Sequence, residues 1–117
     1  MKVGIVGASF ARAAYLPALR HVPGAEVVAI ASGRIDEFGI AAAYADWQEM
    51  LDRHDLDLVL IATPTDLHAP ITLAALDHGA HVLCEKPTAM NAGEATAMLD
   101  KAEALGRLHM IDHELRF

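Results

Sequence analysis

Four short apolar runs punctuate this chain, Val3 to Val6, Val27 to Ala31, Leu58 to Ala62 and Val82 to Cys84, and each is continuous instead of alternating in polarity. A strand with one face in water alternates, whereas a strand covered on both faces reads as an unbroken apolar run. Stretches of helical period separate the runs, so the pattern is βαβ repeated. A weaker strand falls near Ala43 to Tyr44, and a last one over His109 to Leu115. The predicted architecture is α/β, a three-layer, doubly wound and mostly parallel sheet.

The helical stretches carry their own punctuation. Asp46 with Glu49, and Asn91 with Glu94, have the spacing of a capping box, with Asp and Asn in place of Ser or Thr. Gly79 and Gly106 stand where helices stop. Leu67, Ile71 and Ala75 in one helix, and Ala95, Met98, Leu99, Ala102 and Leu105 in the other, form single apolar faces that should lie on the sheet. Pro17 removes an amide donor inside the first helical stretch and predicts a kink or restart there. The segment from Ser32 to Ala43, with Gly33 and Gly39, is too short for a full crossover helix and its loops, so the second crossover is abbreviated.

Composition narrows the function. At 117 residues the chain has room for one domain with a real core, and is short for a two-domain protein. With 54% hydrophobic and only 5% aromatic residues, the interior is Ala, Val, Leu and Ile. The net charge of -7 and the lack of a Lys/Arg cluster argue against nucleic acid and anionic membranes as partners. No apolar run approaches the roughly 20 residues of a membrane span, and no basic leader precedes the first strand, so a cytoplasmic location is expected. Cys84 is alone and reads as a small buried strand residue. The histidines form no metal-ligand pattern, and no metal is expected.

The first strand runs into Gly7-Ala8-Ser9-Phe10-Ala11-Arg12, where a dinucleotide-binding fold of the Rossmann type places its G-x-G-x-x-G turn. Only the first glycine is present. Gly7 can make the tight turn, Ser9 can donate a hydroxyl to phosphate, and Phe10 lies between them and Arg12. Arg12 stands where the third glycine would be and can point toward phosphate, leaving Ala11, Ala13 and Ala14 to pack helix on strand. After the second strand, NAD-specific enzymes place an acid on the adenosine ribose, but here the corner reads Ala31-Ser32-Gly33-Arg34. Ser32 and Arg34 suit a 2′-phosphate and favour NADP over NAD, although Asp36 can fold back to a ribose.

Two later segments are more specific: Ala62-Thr63-Pro64-Thr65-Asp66-Leu67-His68 and Cys84-Glu85-Lys86-Pro87-Thr88-Ala89. Together with Leu16-Pro17-Ala18-Leu19 and the Ala74-Ala75-Leu76 to Gly79 helix, they resemble the Gfo/Idh/MocA oxidoreductases over nearly the whole chain. The resemblance implies that Thr63, Pro64 and His68 line the nicotinamide side of an NAD or NADP cleft. It also implies that Glu85, Lys86 and Pro87 bring a lysine to the reacting carbon. Oxidising an alcohol needs removal of the hydroxyl proton as hydride leaves, and the reverse needs charge stabilisation at oxygen; Lys86, partly desolvated, can serve either role. His68 can touch cofactor or substrate, or cap backbone groups. His113, on the face of Ile111, Leu115 and Phe117, reads as core or cleft.

The family continues into an α+β domain that holds the substrate, implied here to be a sugar, polyol, inositol or related hydroxylated small molecule. Without that domain Lys86 has half a site, and the chain alone is expected to be inactive. Leu115 and Phe117 would then lack a covering layer and invite self-association. The reduced glycine motif leaves a second possibility, a module that binds or senses nicotinamide nucleotide without turnover.

Overall fold

Every strand ladder in the described residues is parallel. The computed structural model describes residues 1–7, 16–32 and 43–112. Within them run β1 (Lys2–Val6), α1 (Leu16–Leu19), β2 (Glu26–Ala31), β3 (Ala43–Tyr44), α2 (Trp47–Arg53), β4 (Leu58–Ile61), a 3-10 turn (Thr65–Leu67), α3 (His68–Asp77), β5 (His81–Glu85), α4 (Ala92–Leu105) and β6 (His109–Asp112). The six strands lie in the order β3-β2-β1-β4-β5-β6, so the expectation of a mostly parallel sheet sharpens to a wholly parallel one among these strands.

That order follows from the apolar runs and from handedness. The path steps one way from β1 to β3 and the other way from β4 to β6, and right-handed crossovers then put the two sets of helices on opposite faces. Leu19 of α1 packs with Val3, Ile5, Ile30 and Leu60 on one face. Met50 and Leu51 of α2, Ile71, Ala75 and Leu76 of α3 and Ala102 of α4 pack with Val59, Ile61, Val82 and Cys84 on the other. Large side chains such as Ile5, Ile30 and Ile61 are fully buried, each contributing about 1.5–3 kcal/mol of transfer free energy. The crossover from β2 to β3 falls on residues 33–42, outside the described residues, as does the end of the last expected strand with His113, Leu115 and Phe117. Pro17 is the second residue of α1, and what precedes Leu16 in that helical stretch also lies outside them.

The helix signals hold in part. Asn91 caps α4 by accepting from the Glu94 amide at 2.9 Å, and Glu94 accepts from the Met90 amide, one residue earlier than a capping box requires. Asp46 caps α2 through the Gln48 amide at 2.9 Å, but Glu49 turns away and pairs with Arg53 at 3.1 Å, so that box is half formed. Gly106 ends α4 at φ 66°, and the Arg107 amide reaches back to the Ala102 carbonyl at 2.9 Å, closing a Schellman turn.

The apolar faces are narrower than their periodicity suggested. In α4 only Met98 and Ala102 are buried, while Leu99 is 50% and Leu105 46% exposed. This helix lies over the β6 edge beside α3, and one neighbour covers one line of residues, here an i, i+4 pair. Leu67 is likewise exposed, because it belongs to the 3-10 turn and not to α3.

A titratable contact joins α2 to α3. His78, at the C-terminal end of α3, donates through Nδ1 to the Ala74 carbonyl at 2.7 Å and through Nε2 to the Asp52 carboxylate at 3.0 Å. The carbonyl bond first, and Asp52 second, raise its pKa above the ordinary 6.5. Because the folded value lies above the unfolded one, this contribution is fully present below about pH 6.5 and fades as pH rises through the folded value. The pair is solvent-screened, so the effect is small. The unfolding midpoint of the wild type should exceed that of His78→Ala at pH 5.5 by more than at pH 8.5; an equal gap at both would show that the charge contributes nothing.

Candidate functional site

Apart from His68, the described candidate residues stand at the carboxyl ends of parallel strands. Gly7 follows β1, Ser32 follows β2, Thr63 and Pro64 follow β4, and Glu85 with Lys86 ends β5 and opens its loop. The strand order reverses between β1 and β4, and ligands of open α/β sheets bind in the crevice at that switch point.

Four strand ends are stitched together there. The Gly7 amide donates to the Ala31 carbonyl at 2.9 Å, the Ala62 amide to the Val6 carbonyl at 2.8 Å, and the Ser32 amide to the Tyr44 carbonyl at 2.8 Å. Gly7 has φ +117°, where side chains are rarely tolerated. A Cβ on it would stand 2.6 Å from the Ala62 carbonyl carbon and closer still to the oxygen. The glycine is thus required by the backbone of β4 as much as by any ligand, a contact between positions far apart in sequence that no local signal reveals. Ser32 is buried.

The loops after β4 and β5 form the other rim. The Thr63 hydroxyl donates to the Pro64 carbonyl at 3.2 Å. Pro64 is extended and precedes the 3-10 turn that leads into α3. Glu85 is half-buried, Lys86 and Pro87 are exposed, and the Lys86-Pro87 peptide is cis. Lys86 thus stands open on the rim of the described residues.

His68 faces backbone groups, the second of its two expected roles. It is the first residue of α3 and only 1% exposed. Its Nε2 lies 2.9 Å from the Thr63 carbonyl oxygen and its Nδ1 2.8 Å from the Pro87 carbonyl oxygen. The ring therefore sits behind the rim, within hydrogen-bond reach of the backbone of both loops. Pro87 belongs to the Glu85-Lys86-Pro87 motif, but no local signal in the sequence pairs it with His68.

Cys84 is fully buried in β5, as expected of a strand residue, and burial first, with the neighbouring Glu85 charge second, pushes its thiol up to about 12. Such a thiol is not a nucleophile at neutral pH. No group of three His, Cys, Asp or Glu residues that could hold a metal occurs among the described residues, and no helix there is long and apolar enough to cross a membrane. Ser9, Phe10, Arg12 and Arg34 lie outside the described residues.

Comparison with known proteins places this geometry. Residues 1–113 match the model of the GFO_IDH_MocA oxidoreductase family, NAD-binding Rossmann fold. A 1,5-anhydro-D-fructose reductase of Ensifer adhaerens is 36% identical over 121 residues, covering 97% of this chain and 36% of the reductase. A 3-ketoreductase variant from Actinomadura kijaniata, solved with TDP-benzene and NADP, superposes with a TM-score of 0.86 at 35% identity, covering 96% of this chain and 38% of that one. An oxidoreductase from Agrobacterium radiobacter, solved with NAD+, L-tartaric acid and magnesium, superposes with a TM-score of 0.91 at 28% identity, over 99% of this chain and 36% of that one. The chain thus spans well under half the length of such relatives.

Proposed function

Since this chain belongs to the Gfo/Idh/MocA oxidoreductases and carries their NAD-binding Rossmann fold, we propose that it is the nucleotide-binding half of an enzyme acting on a sugar, polyol, inositol or related hydroxylated small molecule. The observation that carries this reading is the convergence of Gly7, Ser32, Thr63 and Lys86 on the carboxyl edge of one parallel sheet, around its switch point. The cradle fits a dinucleotide, because Gly7 at φ +117° lets the chain turn sharply out of β1 at the switch point, where the strand order reverses. The substrate and oligomerisation domain of the family would complete the site, and without it the chain is inactive.

In this reading the Gly7 turn, with Ser9, Phe10 and Arg12, faces the pyrophosphate. Ser32 and Arg34 face the adenosine ribose and favour NADP through a 2′-phosphate. Thr63, Pro64 and Glu85 flank the nicotinamide half. The bound cofactor supplies the hydride acceptor or donor. Lys86 holds its ammonium at the substrate oxygen, taking the hydroxyl proton in one direction and balancing oxygen charge in the other. An exposed lysine suits this task, since the substrate and its domain would cover it.

Calorimetric titration of NADPH and NADH into the 117-residue chain tests the reading. Binding of both is expected, with NADPH about tenfold tighter, the worth of one charge-assisted contact. A chain that binds neither nucleotide would sink the proposal; equal affinities would remove the 2′-phosphate role of Ser32 and Arg34.

A further inference from the structure

The β4–β5 ladder pairs Ile61 with Cys84. Carried three residues further, the same register would set Pro64 opposite Pro87. Proline has no N–H to give, so the ladder cannot continue through either loop at that point. Two loops leaving adjacent strands without ladder bonds would separate freely. His68 stands at this gap, its ring between the Thr63 carbonyl of one loop and the Pro87 carbonyl of the other, at 2.9 and 2.8 Å.

The placement is costly unless it serves those bonds. Burying an imidazole is unfavourable without partners, and an apolar side chain would fill this position of α3 more simply. His68 is as buried as its neighbours Ile71 and Leu76 yet polar, and both ring nitrogens are directed at carbonyl oxygens. Its burial also keeps it from a ligand in the crevice. Lys86 is bonded directly to Pro87, so whatever holds the Pro87 carbonyl holds the lysine backbone.

We propose that His68 is a positioning residue: it ties the Thr63 and Pro87 loops into one rigid rim and thereby sets Lys86 against the nicotinamide half of a bound dinucleotide, without touching it. The inference rests on the nucleotide-binding reading above. In the doubly wound fold the β1–β2–β3 half takes the adenosine and the β4–β5–β6 half the nicotinamide. Loss of the tie should therefore be felt by one end of the ligand only.

The test compares NADPH with 2′,5′-ADP, which keeps the adenosine end and lacks nicotinamide, on wild type, His68→Leu and His68→Gln. For His68→Leu, NADPH affinity is expected to fall about tenfold, the scale of one or two lost hydrogen bonds. Affinity for 2′,5′-ADP should stay within about twofold, because the Gly7 and Ser32 corners are untouched. His68→Gln, which can still donate to one carbonyl, should recover part of the loss. Unchanged NADPH binding, or equal losses for both ligands, overturns the positioning role and leaves nucleotide binding intact. A wild-type chain that binds neither ligand overturns the nucleotide reading and this inference with it. Should the leucine variant fail to fold, the glutamine variant and the wild type still decide. In the wild type a buried, bonded His68 ring N–H should exchange slowly enough to be seen by NMR, and a ring whose hydrogens exchange too fast to observe overturns the tie.

Discussion

Gly7→Ala is expected to be the most damaging single-methyl change in this chain, lowering stability by roughly 3 kcal/mol or more. Two costs add. At φ +117° an alanine is strained wherever it points, by about 1–3 kcal/mol. Its Cβ would also stand 2.6 Å from the Ala62 carbonyl carbon, and that neighbour is backbone held by the bond from the Ala62 amide to the Val6 carbonyl. Relief therefore requires the ends of β1 and β4 to move apart, which opens the switch point itself. Gly4→Ala is the instructive contrast. Its Cβ would also come close, at 2.5 Å, but to Leu56 Cδ1, the end of a side chain that can rotate away. Thermal unfolding of the two variants should show Gly7→Ala melting roughly 10 °C or more below the wild type, by the usual scaling of midpoint with stability. Gly4→Ala should lose less. If Gly7→Ala melts within about 2 °C of wild type, the close approach of the two strand ends is not as described.

Lys86→Ala carries the second large effect, and it is expected in chemistry instead of stability. The side chain is exposed, so its removal should leave the melting midpoint almost unchanged. In the enzyme that joins this domain to its substrate domain, turnover should fall by roughly 10²–10⁴, the usual worth of a positioned proton-transfer group, with NADPH affinity within about threefold. Lys86→Arg separates the two tasks open to the lysine. Arginine keeps the charge but does not release its proton, so it should retain much of the activity if charge balance at oxygen is the main role, and little if proton transfer is. Turnover at the wild-type rate in Lys86→Ala would remove the lysine from the mechanism.

The elements themselves were readable because their causes are local. A run such as Leu58 to Ile61 is apolar without alternation because both its faces are covered, and that condition is written in the run itself. Asn91 and Gly106 mark the ends of α4 because the groups they satisfy are within a few residues. The reading weakened wherever a side chain had a choice of partners. Glu49 had the spacing to close a capping box and took Arg53 instead. Leu99 and Leu105 have the period of a buried face, but α4 meets too little surface at the β6 edge to bury them.

The candidate site divides the same way. That Gly7, the Thr63-Pro64 turn and Glu85-Lys86-Pro87 follow strands, and so share one edge of a parallel sheet, is legible in the sequence. The sequence by itself determined which chemical groups leave which strands, because strand burial, capping and turn formation act over a few residues. Only the tertiary structure decided that β1 lies against β4, that Gly7 is held open by the Ala62 backbone, and that His68 reaches across to Pro87. Those contacts join residues 19 or more positions apart, and nothing in the composition of either partner records where the other will be until register and crossover handedness have placed the strands.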